Sequence, residues 1–193
     1  MTKKKRGRII ILSGPSGSGK TTLYKRLLKR GKLKGRLVKS VSMTTRAPRS
    51  GEKDGRDYWF VSRKMFLHKK RAGHLLESQK VFDNDYGTPQ SQVRDFLKQG
   101  KHVLLCIDVK GARVVSRKFP DAVKIFIKTP SLTELKNRLV QRGSESQQTI
   151  HLRLNTARQE LKEEKNYHYS VVNGHLETAC NKLESIMLSI FKN

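Results

Sequence analysis

The feature that most constrains this chain is a glycine-rich segment that follows a short apolar run near the amino terminus. The apolar run is Ile9-Ile10-Ile11-Leu12, and the segment reads Gly14-Pro15-Ser16-Gly17-Ser18-Gly19-Lys20-Thr21-Thr22. It matches G-x-x-x-x-G-K-[ST], in which backbone N–H groups surround a polyphosphate at a helix N-terminus. Lys20 can then reach the terminal phosphates, and the Thr21 hydroxyl can bind Mg²⁺. The pattern predicts a nucleoside-triphosphate site; the alternative is a Gly/Ser turn between a strand and a helix.

Dense apolar runs that alternate with amphipathic stretches predict alternating strands and helices. Strands are predicted at residues 8–13, 37–42, 102–108, 123–129 and 170–172. Helices are predicted at residues 20–29, 89–99, 111–118, 131–141, 148–165 and 176–191. The continuous apolar character of the strands favours a parallel sheet covered on both faces. We therefore expect an α/β chain with the three-layer fold of phosphate-loop NTPases, whose ligands bind at the carboxyl ends of the strands.

Residues 43–89 interrupt this alternation with turn-forming and aromatic sequence. Turn residues occur at 46–51 and 54–55, and an aromatic, strand-like segment follows at 57–61. A short helix is predicted at residues 65–71, and a strand with a turn at 74–82. These features predict an inserted, mostly β subdomain within a single domain that spans residues 1–193.

A large excess of basic residues is the most unusual property of the composition. Lysine and arginine total 42 against 16 aspartate and glutamate residues, which gives a formal net charge of +26. Because the basic residues are spread along the whole chain, we interpret most of them as a solvated exterior. Binding of nucleic acid and attraction to another anionic surface are the alternatives.

The cysteines and the lengths of the apolar runs indicate the cellular compartment of the protein. Cys106 and Cys180 are far apart and outside any metal-ligand spacing, which favours a reduced intracellular protein over a disulfide scaffold. The apolar run after the basic residues 3–6 breaks at Gly14-Pro15, too early for the core of a signal peptide, and no run is long enough to span a membrane. We expect a cytoplasmic protein with no membrane partner.

The inserted segment carries a second set of motifs. They read Ser40-Val41-Ser42-Met43-Thr44-Thr45-Arg46-Ala47-Pro48-Arg49-Ser50-Gly51-Glu52, Gly55-Arg56-Asp57-Tyr58-Trp59-Phe60, Leu76-Glu77 and Tyr86-Gly87-Thr88. Together with the phosphate loop, these motifs closely resemble the guanylate kinase family, and the resemblance runs as far as Val171-Val172-Asn173. It implies phosphorylation of GMP to GDP by ATP with Mg²⁺, in purine nucleotide metabolism.

The resemblance also assigns the residues of the acceptor site. Arg46, Arg49, Tyr58 and Tyr86 would hold the phosphate of GMP, and Ser42, Glu77, Thr88 and Asp108 would face its base. The chemistry agrees, because one carboxylate can accept from both N1–H and the 2-amino group of guanine while a hydroxyl donates to O6. Adenine has an acceptor at N1, so such a carboxylate would exclude it by a factor of about 10⁴. Core packing for the tyrosines and an ordinary surface position for Glu77 are the alternatives.

Further residues match the ATP side and the lid of the family. Arg138, Arg142 and Arg153 match the lid arginines, and Asn173 matches the position near the adenine of ATP. Lys20, Arg46, Arg142 and Arg153 would act on the transferred charge. The expected organisation is a core of residues 1–42, 90–137 and 166–193, a GMP-binding subdomain of residues 43–89, and a lid of residues 138–165 with a mobile polar loop at 143–149. A solvated basic helix face is the alternative for each arginine.

One position departs from the family pattern. Relatives usually carry an acidic residue where this chain has Cys106. The departure would either reduce activity or leave a small neutral side chain in the cleft beside Asp108. A non-catalytic binding module is the alternative function, although Lys20 and Thr21 are intact. Both a monomer and a homodimer are compatible with the sequence.

Overall fold

Two sheets and seven helices make up the computed structural model, which describes residues 7–141 and 147–192. The strands are β1 (Ile9–Ser13), β2 (Leu37–Lys39), β3 (Met43–Thr44), β4 (Trp59–Phe60), β5 (Leu75–Val81), β6 (Asn84–Pro89), β7 (His102–Cys106), β8 (Val123–Lys128) and β9 (Tyr169–Val172). The helices are α1 (Lys20–Leu27), α2 (Arg63–Arg71), α3 (Gln90–Lys98), α4 (Val109–Lys118), α5 (Leu132–Gln141), α6 (Gln147–Lys162) and α7 (Leu176–Lys192). Short 3₁₀ helices cover Gly31–Leu33 and Glu163–Asn166.

The larger sheet is parallel and has the strand order β2-β7-β1-β8-β9. Alternate residues of β1 pack on opposite faces of this sheet. Ile10 and Leu12 join a cluster with side chains of α1 and α7, whereas Ile9 and Ile11 join a cluster with α3 and α4. Since both faces are covered, β1 is apolar from Ile9 to Leu12. The predicted three-layer α/β fold is confirmed.

The smaller sheet is built from strands within residues 43–89 and has the order β4-β3-β6-β5. Strands β5 and β6 form an antiparallel hairpin, and β3 pairs with both β6 and β4. The sequence analysis predicted neither β3 nor β6 as a strand. The reason is physical: β3 has only two residues, and β6 contains Gly87 and Pro89, which are unfavourable for strands.

Several predicted element ends were wrong: β7 ends at Cys106 rather than at residue 108, and two other ends have a visible cause. Strand β2 ends at Lys39 rather than at residue 42, because the Gln92 side chain accepts hydrogen bonds from the Ser40 hydroxyl and the Val41 N–H and so replaces a strand partner. Helix α1 ends at Leu27 rather than at residue 29, because the Lys29 and Arg30 N–H groups donate to carbonyls three residues back rather than four.

The remaining helices lie close to their predicted positions. Helix α4 begins at Val109 rather than at residue 111, and α6 gives way to a 3₁₀ turn at Glu163. Most of the polar loop predicted at residues 143–149 lies outside the described residues, and its last part, from Gln147, belongs to α6. Within residues 7–141 and 147–192, no helix has the length and apolar character needed to cross a bilayer.

Candidate active site

The glycine-rich loop joins the carboxyl end of β1 to the first residue of α1. Gly14, Gly17 and Gly19 all have positive φ, and Gly19 is the N-cap residue of α1 in the left-handed region, with φ 87°. A Cβ atom at Gly19 would lie 2.3 Å from Asn173 Nδ2, so both the backbone angle and the packing require glycine here. The loop therefore has the backbone conformation that its sequence predicts.

The Lys20 side chain folds back over this loop. Its Nζ donates to the carbonyl oxygens of Gly14, at 2.6 Å, and Pro15, at 2.9 Å. Thr21 and Thr22 follow in the first turn of α1 with exposed side chains, and this turn contains no acidic residue. The positive end of the helix dipole is thus free of competing carboxylates, which suits an anionic ligand.

A cavity of about 370 Å³ adjoins the loop. Its lining is Gly17, Gly19, Thr22, Arg138, Gln141, Asn173, Gly174 and Leu176. Asn173 Nδ2 donates to the Ser18 carbonyl at 2.8 Å, and Arg138 Nη2 donates to the Asn173 carbonyl at 2.8 Å. These bonds bring the two predicted ATP-side residues together with the phosphate loop.

Glu77 and Thr88 face each other across the β5–β6 hairpin. The Thr88 hydroxyl donates to Glu77 Oε1 at 2.7 Å, and the Glu77 residue is only 6% exposed. Burial raises the pKa of the Glu77 carboxyl to about 7, and the charge of Asp108 acts in the same direction. A buried carboxyl with a raised pKa is typical of functional sites. The alternative interpretation, in which Glu77 is an ordinary surface residue, is wrong.

Asp108 approaches the same point from the larger sheet. Its carboxylate caps α4 and accepts from the Gly111 N–H at 2.7 Å. A Cβ atom at Gly111 would lie 2.8 Å from Glu77 Oε2 and 3.0 Å from Asp108 Oδ1. Gly111 therefore allows the two carboxylates to converge, a role that the sequence analysis missed, because a glycine near a helix start carries no signal for it.

Arg46 is held in place by its neighbours in the inserted segment. Its Nη2 donates to both oxygens of Glu52, at 3.0 and 3.1 Å, and its guanidinium lies 5.5 Å from the Tyr58 ring centroid. The Tyr58 ring meets the Tyr86 ring edge to face, with 6.0 Å between centroids. The Arg49 N–H also donates to Glu52, while the Arg49 side chain is exposed. Glu52 thus organises both predicted phosphate-binding arginines.

Ser42 lies beside this cluster, at the start of the smaller sheet. The residue is buried, and its carbonyl accepts from the Trp59 N–H at 2.9 Å. Because β3 lies between β4 and β6, the sheet brings Ser42, Tyr58 and Tyr86 into one region.

Helix α6 carries Arg153 to the phosphate loop. Its Nη1 donates to Ser16 Oγ at 3.0 Å, and its guanidinium lies 4.6 Å from the Phe82 ring centroid. Phe82 begins the hairpin turn between β5 and β6 at φ 55°, and within the described ranges no other non-glycine residue has positive φ. Arg153 thus links the loop to the smaller sheet. Arg142, predicted beside it, lies outside the described residues, as do Gly143 and Ser144.

Glu160, on α6, is a partly buried carboxyl that the sequence analysis did not single out. Burial raises its pKa to about 7, and Lys20 and Asp108 are among the charges that act on it. Burial also raises the pKa of the Cys106 thiol, and the charges that oppose this rise are those of Lys20 and Lys39. Cys106 therefore lies within range of the Lys20 charge, and its place in the cleft beside Asp108 stays a prediction.

The oxygen donors of this region suit Mg²⁺ bound mainly by a nucleotide. The exposed Thr21 hydroxyl is a hard oxygen ligand at the start of α1. Within the described parts of the chain, no group of three or more His, Cys, Asp or Glu residues could hold a metal ion. A magnesium ion would therefore take most of its ligands from phosphates and water, which is its usual mode in kinases.

Comparison with known proteins agrees with this geometry. The family model described as "Guanylate kinase" matches residues 6–190. The guanylate kinase of Clostridioides difficile (strain 630) is 41% identical over 185 residues, which cover 96% of this chain and 89% of that protein. The guanylate kinase of Caldanaerobacter subterraneus subsp. tengcongensis is 42% identical over 189 residues, with coverages of 98% and 90%. The crystal structure of guanylate kinase from Anaplasma phagocytophilum has a TM-score of 0.80 at 35% identity, and the match covers 96% of this chain and 86% of that one.

Proposed function

The chain belongs to the guanylate kinase family, and on that basis we propose that it transfers the terminal phosphoryl group of ATP to GMP, which yields ADP and GDP. The observation that carries the proposal is the convergence of Glu77 and Asp108 over Gly111, in a chain whose phosphate loop retains Lys20 and Thr21. A binding module without catalysis would need neither the lysine nor the hydroxyl, so that alternative is not favoured.

On the donor side, residues 14–22 hold the phosphates of ATP. Their N–H groups and the start of α1 bind the phosphate oxygens, and Lys20 leaves the loop carbonyls to meet the terminal phosphates. The cavity lined by Arg138 and Asn173 takes the adenine, because it adjoins the loop and offers a flat guanidinium and an amide. Thr21 would hold Mg²⁺ together with the phosphates, and the ion would supply positive charge to neutralise the triphosphate.

On the acceptor side, the ionised Glu77 carboxylate accepts from N1–H and the 2-amino group of guanine. The Thr88 hydroxyl donates to Glu77 in this structure, so a bond to guanine O6 requires that hydroxyl to rotate. Ser42 and Asp108 complete the base pocket. Arg46, Arg49, Tyr58 and Tyr86 bind the phosphate of GMP, with Arg46 already positioned by Glu52 and Arg49 reaching in from solvent.

The transfer itself is a direct displacement. An oxygen of the GMP phosphate forms a bond to the terminal phosphorus of ATP, and the bond from that phosphorus to the bridging oxygen of ADP breaks. Negative charge on the moving group is stabilised by Lys20, Arg46 and Arg153. We assign Arg142 to the same role from the family pattern. No covalent enzyme intermediate is required.

We propose that residues 138–165 act as a lid that excludes water from the site. Arg153 already spans the gap between Ser16 of the core and Phe82 of the subdomain, residues 43–89. Closure of the lid and the subdomain on the core of residues 1–42, 90–137 and 166–193 would remove water that otherwise hydrolyses ATP.

A coupled assay of ADP release tests the function. Purified protein receives ATP and magnesium with GMP, AMP, CMP or UMP in turn, and we expect ADP and GDP with GMP and little turnover with the other three. Failure to form GDP with GMP, or equal turnover with AMP, would overturn the proposal.

We further propose the cytoplasm as the compartment, since Cys106 and Cys180 are free thiols. Nucleic-acid binding stays a prediction from the net charge of +26. Its test is the salt dependence of RNA and DNA binding: absence of salt-dependent association at moderate ionic strength would reject it.

A further inference from the structure

Lys39 occupies a position on the ligand-binding edge of the larger sheet that no step above uses. It is the last residue of β2, and its register partner in β7 is Leu104, two positions before Cys106. Strands β2, β7 and β1 are parallel neighbours, so Lys39 lies on the same edge as the start of the phosphate loop. Ligands of parallel α/β sheets bind at this edge.

The ammonium group of Lys39 is partly removed from water, and within residues 7–141 and 147–192 it forms no ion pair with a carboxylate. Its Nζ donates to the Asp57 carbonyl oxygen at 3.0 Å, and it lies 5.0 Å from the Tyr24 ring centroid and 5.6 Å from that of Tyr58. That carbonyl is its only hydrogen-bond acceptor in the part of the chain that the structure describes. Two of the three N–H donors of the ammonium therefore remain available to a ligand.

The charge of Lys39 is not needed to neutralise the Asp57 carboxylate, which has other partners. The Asp57 carboxylate pairs with Lys25 and Arg56 and accepts from the Lys53 N–H. These contacts hold its pKa well below the usual range. Lys39 bonds to the backbone carbonyl of Asp57, for which an uncharged donor would serve equally well. The charge of the Asp57 carboxylate favours the charged form of Lys39, but among the described residues no carboxylate pairs with it directly. A half-buried cation without a direct ion pair is costly, which suggests that an anion completes the site.

The neighbours of Lys39 place it between the two predicted phosphate sites. The Tyr58 ring that it contacts is also contacted by the Arg46 guanidinium, at 5.5 Å. On its other side, the Cys106 thiol experiences the charges of both Lys39 and Lys20. Burial lowers the pKa of Lys39, whereas the charges of Cys106 and Asp57 oppose this shift.

We propose that Lys39 binds the phosphate of GMP, beside Arg46 and on the side of that phosphate that faces Lys20. The inference rests on the proposed function and names one further binding residue for it. The competing explanation is that Lys39 only braces the segment around Asp57, with no contact to substrate.

The test compares binding of GMP with binding of guanosine, which lacks the phosphate. In Lys39→Gln the side chain keeps an N–H donor for Asp57 but loses the charge. Calorimetric titration should give GMP a dissociation constant raised about tenfold or more, with guanosine binding unchanged. The matched control is Lys25→Gln, which also removes a lysine contact to Asp57, and it should leave the ratio of GMP to guanosine affinity unchanged.

The outcomes separate the two explanations. Equal weakening of GMP and guanosine by Lys39→Gln, or no change in either, would overturn the proposal in favour of a brace. Failure of the unmodified protein to bind GMP would instead reject the proposed function.

A second experiment does not depend on whether the Lys39→Gln variant folds. The unmodified protein is labelled with acetic anhydride, and mass spectrometry measures how much Lys39 is acetylated. GMP should protect Lys39 more than guanosine does, and equal protection would contradict the proposal.

Discussion

The phosphate loop and the acceptor pocket are assembled in different ways. The loop consists of residues 14–22, and it presents mainly backbone N–H groups whose directions follow from glycine conformations. The pocket collects side chains from Ser42, from the β5–β6 hairpin and from the start of α4, which are distant in sequence. Loop geometry is therefore a local property, whereas pocket geometry depends on how two sheets pack against each other.

The difference predicts distinct consequences of mutation in the two regions. In the proposed mechanism the loop binds ATP, which is the donor for every acceptor, so changes in the loop should reduce the rate with any acceptor. Changes in the pocket should alter the choice of acceptor, because only there would the protein contact the base of the acceptor. The following predictions rank the expected effects from the largest to the smallest.

Lys20→Ala should have the largest effect. It should lower the rate of turnover without lowering the stability of the fold. Removal of a cation aimed at the transferred charge is expected to lower kcat about 10²- to 10³-fold with the fold intact. Steady-state kinetics and a thermal unfolding curve measure the two quantities. Lys29→Ala, at an exposed position beyond the end of α1, is the control and should behave as the unmodified protein. Near-normal turnover of Lys20→Ala would contradict the mechanism.

Glu77→Gln should act on selectivity. The amide puts an N–H donor opposite the N–H donors of guanine, so kcat/KM for GMP should fall about 10²-fold while that for AMP stays at its low level. The control is Glu163→Gln, which alters a carboxylate that binds Arg113 on the surface. Unchanged discrimination between GMP and AMP in Glu77→Gln would mean that the base lies elsewhere.

The raised pKa of Glu77 predicts a pH dependence confined to the pocket. Guanosine requires the ionised carboxylate, so with a pKa of about 7 its affinity should rise about tenfold between pH 6 and pH 8. Guanosine is the probe because the phosphate of GMP itself titrates near pH 6. Titrations at several pH values should show this rise in the unmodified protein and not in Glu77→Gln. A rise of equal size in both would assign it to another group.

The same pKa has a consequence for stability. Folding raises the pKa of Glu77 from 4.5 to about 7, so the folded state binds this proton more tightly than the unfolded chain does. The resulting contribution to the free energy of unfolding is fully present below pH 4.5 and is lost as pH rises through about 7. In the proposed mechanism guanine binds the ionised form of Glu77 and so reverses this preference, which couples base recognition to the pocket and leaves the loop unaffected.

Phe82 joins the two regions, and its substitution should have the smallest effect. Phe82→Gly and Phe82→Ala both remove the ring under Arg153, so each should lower kcat by about 2- to 10-fold. Only glycine relieves the positive φ, so Phe82→Gly should be more stable than Phe82→Ala by about 1 kcal/mol. Kinetics and thermal unfolding distinguish these effects. An unchanged kcat in both variants would show that the ring does not position Arg153.

Prediction from sequence succeeded where the determining interactions are local. The phosphate loop and the buried strands β1, β7 and β8 follow from short motifs and apolar runs, and the family resemblance is confirmed. It failed where a distant contact decides the outcome. Phe82 occupies a turn position that favours glycine, and its partner Arg153 lies on a separate helix. The roles of Gly111 and Lys39 depend on contacts with residues from other segments of the chain.

By itself, the sequence determined the class of fold, the triphosphate-binding loop and the family. These depend on hydrogen bonds and apolar patterns between residues close in the chain. Only the tertiary structure decided that Glu77 and Asp108 converge, that Glu52 holds Arg46, and that Lys39 contacts the Tyr58 ring that Arg46 also contacts. The physical reason is that side-chain convergence depends on the packing of one sheet against another, and the free energy of a buried charge is set by all groups around it.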